Sequence, residues 1–208
     1  MLISFARNKL NLLLFKKKYR KANAHNDTHA GNLFNIDAVS VGRYSYGVIN
    51  AHTWNGAGEQ LSIGDYVSIA ENVTFLLGGN HHISGFCTFP FKSKSRALDP
   101  DKDALNKGGI IIGDDTWIGM NVIIISGVNI GRGCVVAAGS VVTKSFPPFS
   151  VIGGNPARLI KYRLTGEEIS VAESLDLKKL QLEKITDQQL ESLYESPTNE
   201  SFKPLSSM

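Results

Sequence analysis

The chain has 208 residues, 42% of them hydrophobic, with 20% charged residues and a net charge of +3. That length supports one sizeable core with appendages, and so mild a basic excess excludes a dedicated nucleic-acid binder. The two cysteines, Cys87 and Cys134, are too few for a disulfide framework and fit a reducing cytoplasm.

Residues 1–24 carry Leu2, Ile3, Phe5, Leu10, Leu13, Leu14 and Phe15, then Lys16, Lys17, Lys18, Arg20 and Lys21. Apolar residues near helical spacing ahead of a basic cluster predict an amphipathic helix. The apolar run is too short to span a bilayer, and no small-residue cleavage site follows it. Two uses fit. One is peripheral contact with an anionic membrane, at its inner face; the other is a cover across the open end of the domain that follows. Residues 25–38 read as a lead-in loop, with His25 and His29 exposed on it and no metal site.

From Val39 the chain begins to repeat in sixes. Val41-Gly42 and Ser45 set the phase, residues 47–60 break it, and Ile63-Gly64, Ile69-Ala70 and Phe75 resume it. His52 and Trp54, in the break, are equally candidates for an acceptor pocket or for ordinary loop packing. The clearest stretch is Gly109 to Val142, GIIIGDDTWIGMNVIIISGVNIGRGCVVAAGSVV. Ile112, Ile118, Ile124, Ile130, Val136 and Val142 recur every six residues, and Gly or Ala follows most of them. Four places after each aliphatic stands another small or β-branched residue: Thr116, Val122, Val128, Cys134 or Ser140. Neither a helix nor a lone strand has this period, and it predicts a parallel β-helix of stacked coils. The aliphatics point inward and the Gly or Ala residues ease the corners. Cys134 becomes a buried thiol.

An interruption, 78–109, separates the two runs of repeats. Phe75 and Ile112 are 37 residues apart, one more than a multiple of six, so the register is lost and regained. Its aromatics and proline (Phe86, Phe89, Pro90, Phe91) argue for packing, and its polar tip, 92–107, for mobility. A long loop of this kind is a place for function. It holds Asn80-His81-His82, the best chemical candidate, because a neutral imidazole can accept a proton from a hydroxyl or amine attacking an activated carbonyl. No thiol or hydroxyl with an obvious partner competes with it. After Val142, Pro147-Pro148 ends the regular coils, Gly154-Asn155-Pro156 is a turn, and Lys144, Arg158, Lys161 and Arg163 form a basic group. Thr165 to Glu168 is a capping box for a helix to about Leu175. A second helix covers 187–194, and the last dozen residues read as a frayed tail. The organisation is therefore 1–38, a segment with its lead-in; 39–164, the β-helix with its loop 78–109; and 165–208, short helices and a tail.

Three segments carry a resemblance: SIGDYVSIAENVTFLLGGNHH, the TFPF after it, and GIIIGDDTWIG with the Ala137-to-Lys144 and Gly153-to-Arg158 stretches. Over about Val39 to Leu164 the chain resembles the hexapeptide-repeat acyltransferases, specifically their xenobiotic-acetyltransferase branch. That branch includes streptogramin and chloramphenicol acetyltransferases and O-acetyltransferases of surface polysaccharides. The resemblance implies an all-β core in a left-handed parallel β-helix, a homotrimer, clefts between subunits and acetyl-CoA as co-substrate. By motif position it implies His81 as general base, His82 as second choice and Asn80 as an orienting group. It also implies Trp117 as an indole donor to the oxyanion. Ala138, Thr143, Lys144, Arg158 and Lys161 fall where relatives hold coenzyme A, Lys161 standing in for an arginine. The C-terminal helix departs from the branch in lacking a Trp-Trp pair. The implied activity is O-acetylation of a sugar hydroxyl in a surface polysaccharide or its precursor. Acetylation of an antibiotic, N-acetylation of an amino sugar and a non-catalytic scaffold are the alternatives.

Overall fold

The computed structural model describes residues 2–54, 56–95 and 105–206, the side chains of 2–5 excepted. It divides into two compact units, Met1–Lys161 and Tyr162–Met208. In the first, helix α1 (Leu2–Ala22) leads into strand β1 (Asp27–Ala30) and a short 3-10 turn at Ile36–Ala38. The coils follow as β2 (Val39–Val41), β3 (Tyr46–His52), β4 (Leu61–Ile63), β5 (Ser68–Ile69) and β6 (Thr74–Leu76). The loop contains the short helix α2 (Phe91–Ser95). Coils resume with β7 (Ile110–Ile112), β8 (Trp117–Ile118), β9 (Ile123–Ile125), β10 (Asn129–Ile130), β11 (Val135–Val136) and β12 (Val141–Val142). Strands β13 (Ser150–Gly154) and β14 (Ala157–Tyr162) close the unit.

Three parallel ladders form the walls of a prism. The first joins β2, β4, β7 and β10; the second runs β3, β5, β8, β11 and β13; the third runs from the end of β3 through β6, β9 and β12. One six-residue repeat makes one wall, so three repeats make a coil and residues 18 apart stack: Ile112 on Ile130, Trp117 on Val135, Ile123 on Val141. The inward columns are Val41-Ile63-Ile112-Ile130, Ile69-Ile118-Val136-Ile152 and Ala51-Phe75-Ile124-Val142, and all twelve side chains are buried in one continuous core. The second inward set is buried too, from Val67 and Val73 through Thr116, Val122, Val128 and Cys134 to Ser140. Phe75 fills the space that its neighbour Ala51 leaves, in a column otherwise made of aliphatics. Phe75→Ala is therefore expected to destabilise the domain by about 3–5 kcal/mol, read as a shifted midpoint in urea.

The corners differ from the expectation. The glycines that follow the aliphatics are not the turn residues. The left-handed backbone positions are Asp115, Asn121, Gly127, Gly133 and Gly139, again six apart, preceded in the earlier coils by Tyr44, Tyr66 and Asn72. Asp, Asn and Gly suit that conformation. The glycine after the aliphatic serves close approach between coils instead: a Cβ on Gly119 would lie 2.7 Å from the Ala138 amide nitrogen of the next coil.

The open first end of the prism is covered. The lead-in, expected as loop, contains β1, which pairs in parallel with β3. One stripe of α1 lies on it. Tyr19 is fully buried, its hydroxyl shares a 2.8 Å hydrogen bond with Thr28 Oγ1, and Phe15 and Tyr19 both meet Phe34 edge-on at 5.0 and 5.7 Å. Burial pushes the Tyr19 phenol above its ordinary range. The opposite stripe of α1, including Leu10, Leu13 and Leu14, is exposed, so the helix is apolar on two faces rather than simply amphipathic. The interruption inserts cleanly: Leu61 pairs with Ile110, and Ile69 and Phe75 still align with Ile118 and Ile124. Part of its polar tip lies outside the described residues.

In the second unit, α3 (Gly166–Ser174), α4 (Asp187–Tyr194) and α5 (Asn199–Phe202) follow one another. The Glu168 carboxylate accepts the Thr165 amide at 2.6 Å, which holds its pKa below the usual carboxylate range. The tail does not fray as expected. Thr198 accepts the Ser201 amide at the start of α5, and Ser201 and Leu205 are buried.

Candidate active site

His81 leaves the third ladder five residues after β6, at the root of the loop. That root is tied three ways. The Asn80 and Leu105 backbones exchange hydrogen bonds of 2.9 and 2.8 Å across the loop's two ends. The Asn80 side-chain amide donates to the buried Ser126 Oγ at 3.1 Å. Glu59, also buried, accepts the Trp54 amide through Oε2 at 2.8 Å, while its Oε1 occupies the space that a side chain on Gly78 would take. The indole of Trp54 covers Gly79, whose φ of +78° and absent Cβ allow the contact.

Beyond that root, His81 Nδ1 lies 2.8 Å from the carbonyl oxygen of Thr88. A carbonyl only accepts, so Nδ1 carries the hydrogen and Nε2 keeps its lone pair. The ring is thus held in the tautomer of a base, by a main-chain oxygen. His82 points elsewhere, its Nε2 3.3 Å from Ser84 Oγ. Both imidazoles are exposed in the isolated chain. Asn80 turns its amide inward to Ser126, which makes it an anchor of the loop.

Trp117 stands on another wall, outward on β8 between Ser68 and Val135. It is 57% exposed, and among the described residues no hydrogen bond engages its indole N–H. Trp117 thus stands on the second wall, whereas the loop that carries His81 leaves the third. Ala138 is exposed at the corner between β11 and β12, beside Gly139, where an added Cβ would meet nothing within 4 Å. Thr143 and Lys144 are exposed just past β12, with Lys144 Nζ 5.5 Å from the Phe146 ring centroid. Arg158 and Lys161 are exposed on β14, but three residues apart they fall on opposite faces of that strand. An open small-residue corner and exposed cations fit a phosphate-bearing thioester. Arg158 and Lys161 therefore do not share one face of β14. His52 and Phe86 are exposed as well, and among the described residues no hydrogen bond or ring contact joins either to His81.

Thr88, Ser126 and Glu59 were not legible as site residues. Thr88 acts through its carbonyl, which has no side-chain signature. Ser126 and Glu59 are isolated residues outside the repeat phase.

The sequence family described as the hexapeptide repeat of succinyl-transferase matches residues 109–144. A chloramphenicol acetyltransferase of Klebsiella aerogenes is 35% identical over 164 residues, covering 71% of this chain and 78% of that protein. A putative lipopolysaccharide biosynthesis O-acetyl transferase of Escherichia coli K12 is 36% identical over 113 residues, half of this chain and 58% of that one. In structure, the hexapeptide-repeat containing acetyltransferase of Vibrio cholerae superimposes with a TM-score of 0.55 at 25% identity, over 77% of this chain and 89% of its own. The chain belongs to the hexapeptide-repeat acyltransferases. It is an acetyltransferase with a left-handed parallel β-helix.

Proposed function

We propose that the protein transfers acetyl from acetyl-CoA to a hydroxyl of a sugar, in a surface polysaccharide or its lipid-linked precursor. The observation that carries O-acetyl transfer is the His81 Nδ1 contact with the Thr88 carbonyl, which leaves Nε2 free to accept a proton. His81 takes the hydroxyl proton as the acceptor oxygen attacks the thioester carbonyl. The oxyanion that forms receives the indole N–H of Trp117. As it collapses the carbon–sulfur bond breaks, and the proton on His81 passes to the departing thiolate. Transfer is direct, without an acyl-enzyme. Ala138 and Thr143 line the pantetheine arm, and Lys144 and Arg158 meet the phosphates, Lys161 facing away from Arg158. Because Trp117 stands on the second wall and the loop of His81 leaves the third, the site is completed between copies in a homotrimer.

The sugar reading is supported by the likeness to the Escherichia coli lipopolysaccharide O-acetyl transferase and by the exposed basic and apolar face of α1. A second reading, acetylation of an antibiotic hydroxyl, is favoured by the likeness to the Klebsiella enzyme over most of both chains. Among the described residues no helix is long and apolar enough to cross a membrane, and the proposed reaction takes place at its cytoplasmic side. Release of free thiol from acetyl-CoA, measured over a panel of glycans, chloramphenicol and a streptogramin, separates the two. Turnover on a glycan is expected; turnover on the drugs alone would move the protein to the second reading.

A further inference from the structure

Helix α1 has one face more than the fold uses. Leu12, Phe15, Lys16 and Tyr19 lie toward the first coil and β1, and that stripe accounts for the helix as a cover. On the other side Arg7, Leu10, Leu14, Lys17 and Lys21 follow one another at spacings of three and four, so they form one stripe, flanked by Leu13 and Lys18. All seven are exposed; Leu10, Leu13 and Leu14 are each more than half exposed. Three neighbouring leucines open to water on a helix that already has a buried face need a separate explanation.

The charge around them identifies the partner. Residues 1–26 contain seven Lys or Arg and no Asp or Glu, whereas the rest of the chain has 15 basic and 19 acidic residues. The net charge of +3 thus hides a strongly basic helix: residues 27–161 balance ten basic against ten acidic residues, and the acidic excess falls in 162–208. The stripe orders its chemistry along the axis, leucines in the middle and lysines toward the C-terminal end. Leucines inserted at the acyl boundary, with long cationic side chains reaching the headgroups, are how a helix lies in the plane of an anionic bilayer. A second copy of this chain would have to set one basic stripe against another. We propose that the outward face of α1 docks the enzyme on an anionic lipid bilayer, with the helix lying in the interface. The inference stands on α1 alone. It rests on the proposed function only for what the docking brings within reach, a glycan held on a lipid.

The test uses the full-length protein and sedimentation with vesicles of phosphatidylglycerol and phosphatidylethanolamine, against vesicles of phosphatidylcholine alone. The expected result is partition at least about tenfold stronger on the anionic vesicles, falling as salt rises. Two variants, L10Q/L13Q/L14Q and K17E/K18E/K21E, leave Tyr19 and its contacts in place, and each should lose that preference with an unchanged melting temperature. No binding to anionic vesicles, binding that both variants retain, or a leucine variant whose only change is a smaller oligomer by light scattering would each overturn the proposal. Thiol release with a water-soluble acceptor is recorded for the same proteins. Docking without any glycan turnover would then count against the proposed acceptor and not against the membrane surface.

Discussion

His81→Ala lowers kcat for acetyl transfer by about 10²–10⁴, the range over which a positioned general base contributes. Coenzyme A binding, followed by calorimetry, stays within about twofold, since nothing in the proposed donor contacts involves the loop root. The melting temperature is also held, because His81 is exposed and surface substitutions of this kind cost no more than about 0.5 kcal/mol. The companion variant is His82→Ala. Its imidazole faces Ser84 and is not held in a base tautomer by a carbonyl, so it retains most of the activity. Equal losses in the two variants would mean that the pair acts through the shape of the loop. A full loss confined to His82→Ala would reverse the assignment. An unchanged kcat in His81→Ala would remove general-base catalysis by this residue altogether.

Why His81 stood out as a candidate and the contacts that hold it did not follows from where each kind of information sits. The repeat is readable because one physical requirement, an inward aliphatic on each wall, recurs at a fixed interval, and stacking at 18 residues sets Ile130 on Ile112, Val136 on Ile118 and Val142 on Ile124. The corner residues were present in the same letters. Asp115, Asn121, Gly127, Gly133 and Gly139 are six apart and are all types that tolerate a left-handed backbone. Glycine after each aliphatic is the more conspicuous pattern, and it answers to coil spacing instead. The loop root has no periodicity. Asn80 meets Leu105 across 25 residues of chain, and the carbonyl that fixes His81 belongs to a residue whose side chain is irrelevant to the contact. Helix α1 was readable as a helix, but not its two faces, because the sequence cannot say which leucines the first coil covers. In the tail, Thr198 and Ser201 carried a capping signal that the polar composition around them masked.

Trp117→Phe separates the two accounts of the indole. The ring sits outward on β8 and more than half of it is exposed, so replacing it by another aromatic should leave the melting temperature unchanged. What the substitution removes is one N–H. If that donor meets the oxyanion, kcat falls by about 10²-fold or more, the cost of one aimed hydrogen bond of roughly 3–4 kcal/mol in a site shielded from water. KM for acetyl-CoA should move little, because the bond strengthens only as charge develops on the oxygen. A corner residue that only packs would behave otherwise: phenylalanine would serve within about twofold, and alanine would lower stability and activity together. The separation of His81 and Trp117 adds a sharper consequence. Each variant alone is nearly inactive, but a site drawn from two copies can be rebuilt by mixing them. In the proposed trimer, co-expressing His81→Ala and Trp117→Phe chains in equal amounts leaves about one site in four with an intact His81 from one chain and an intact Trp117 from its neighbour. Recovery of about a quarter of the wild-type rate is the expected outcome. A mixture no more active than its components would place both residues in one chain's site, and the two walls of the prism would then need to be bridged by movement of the loop that carries His81.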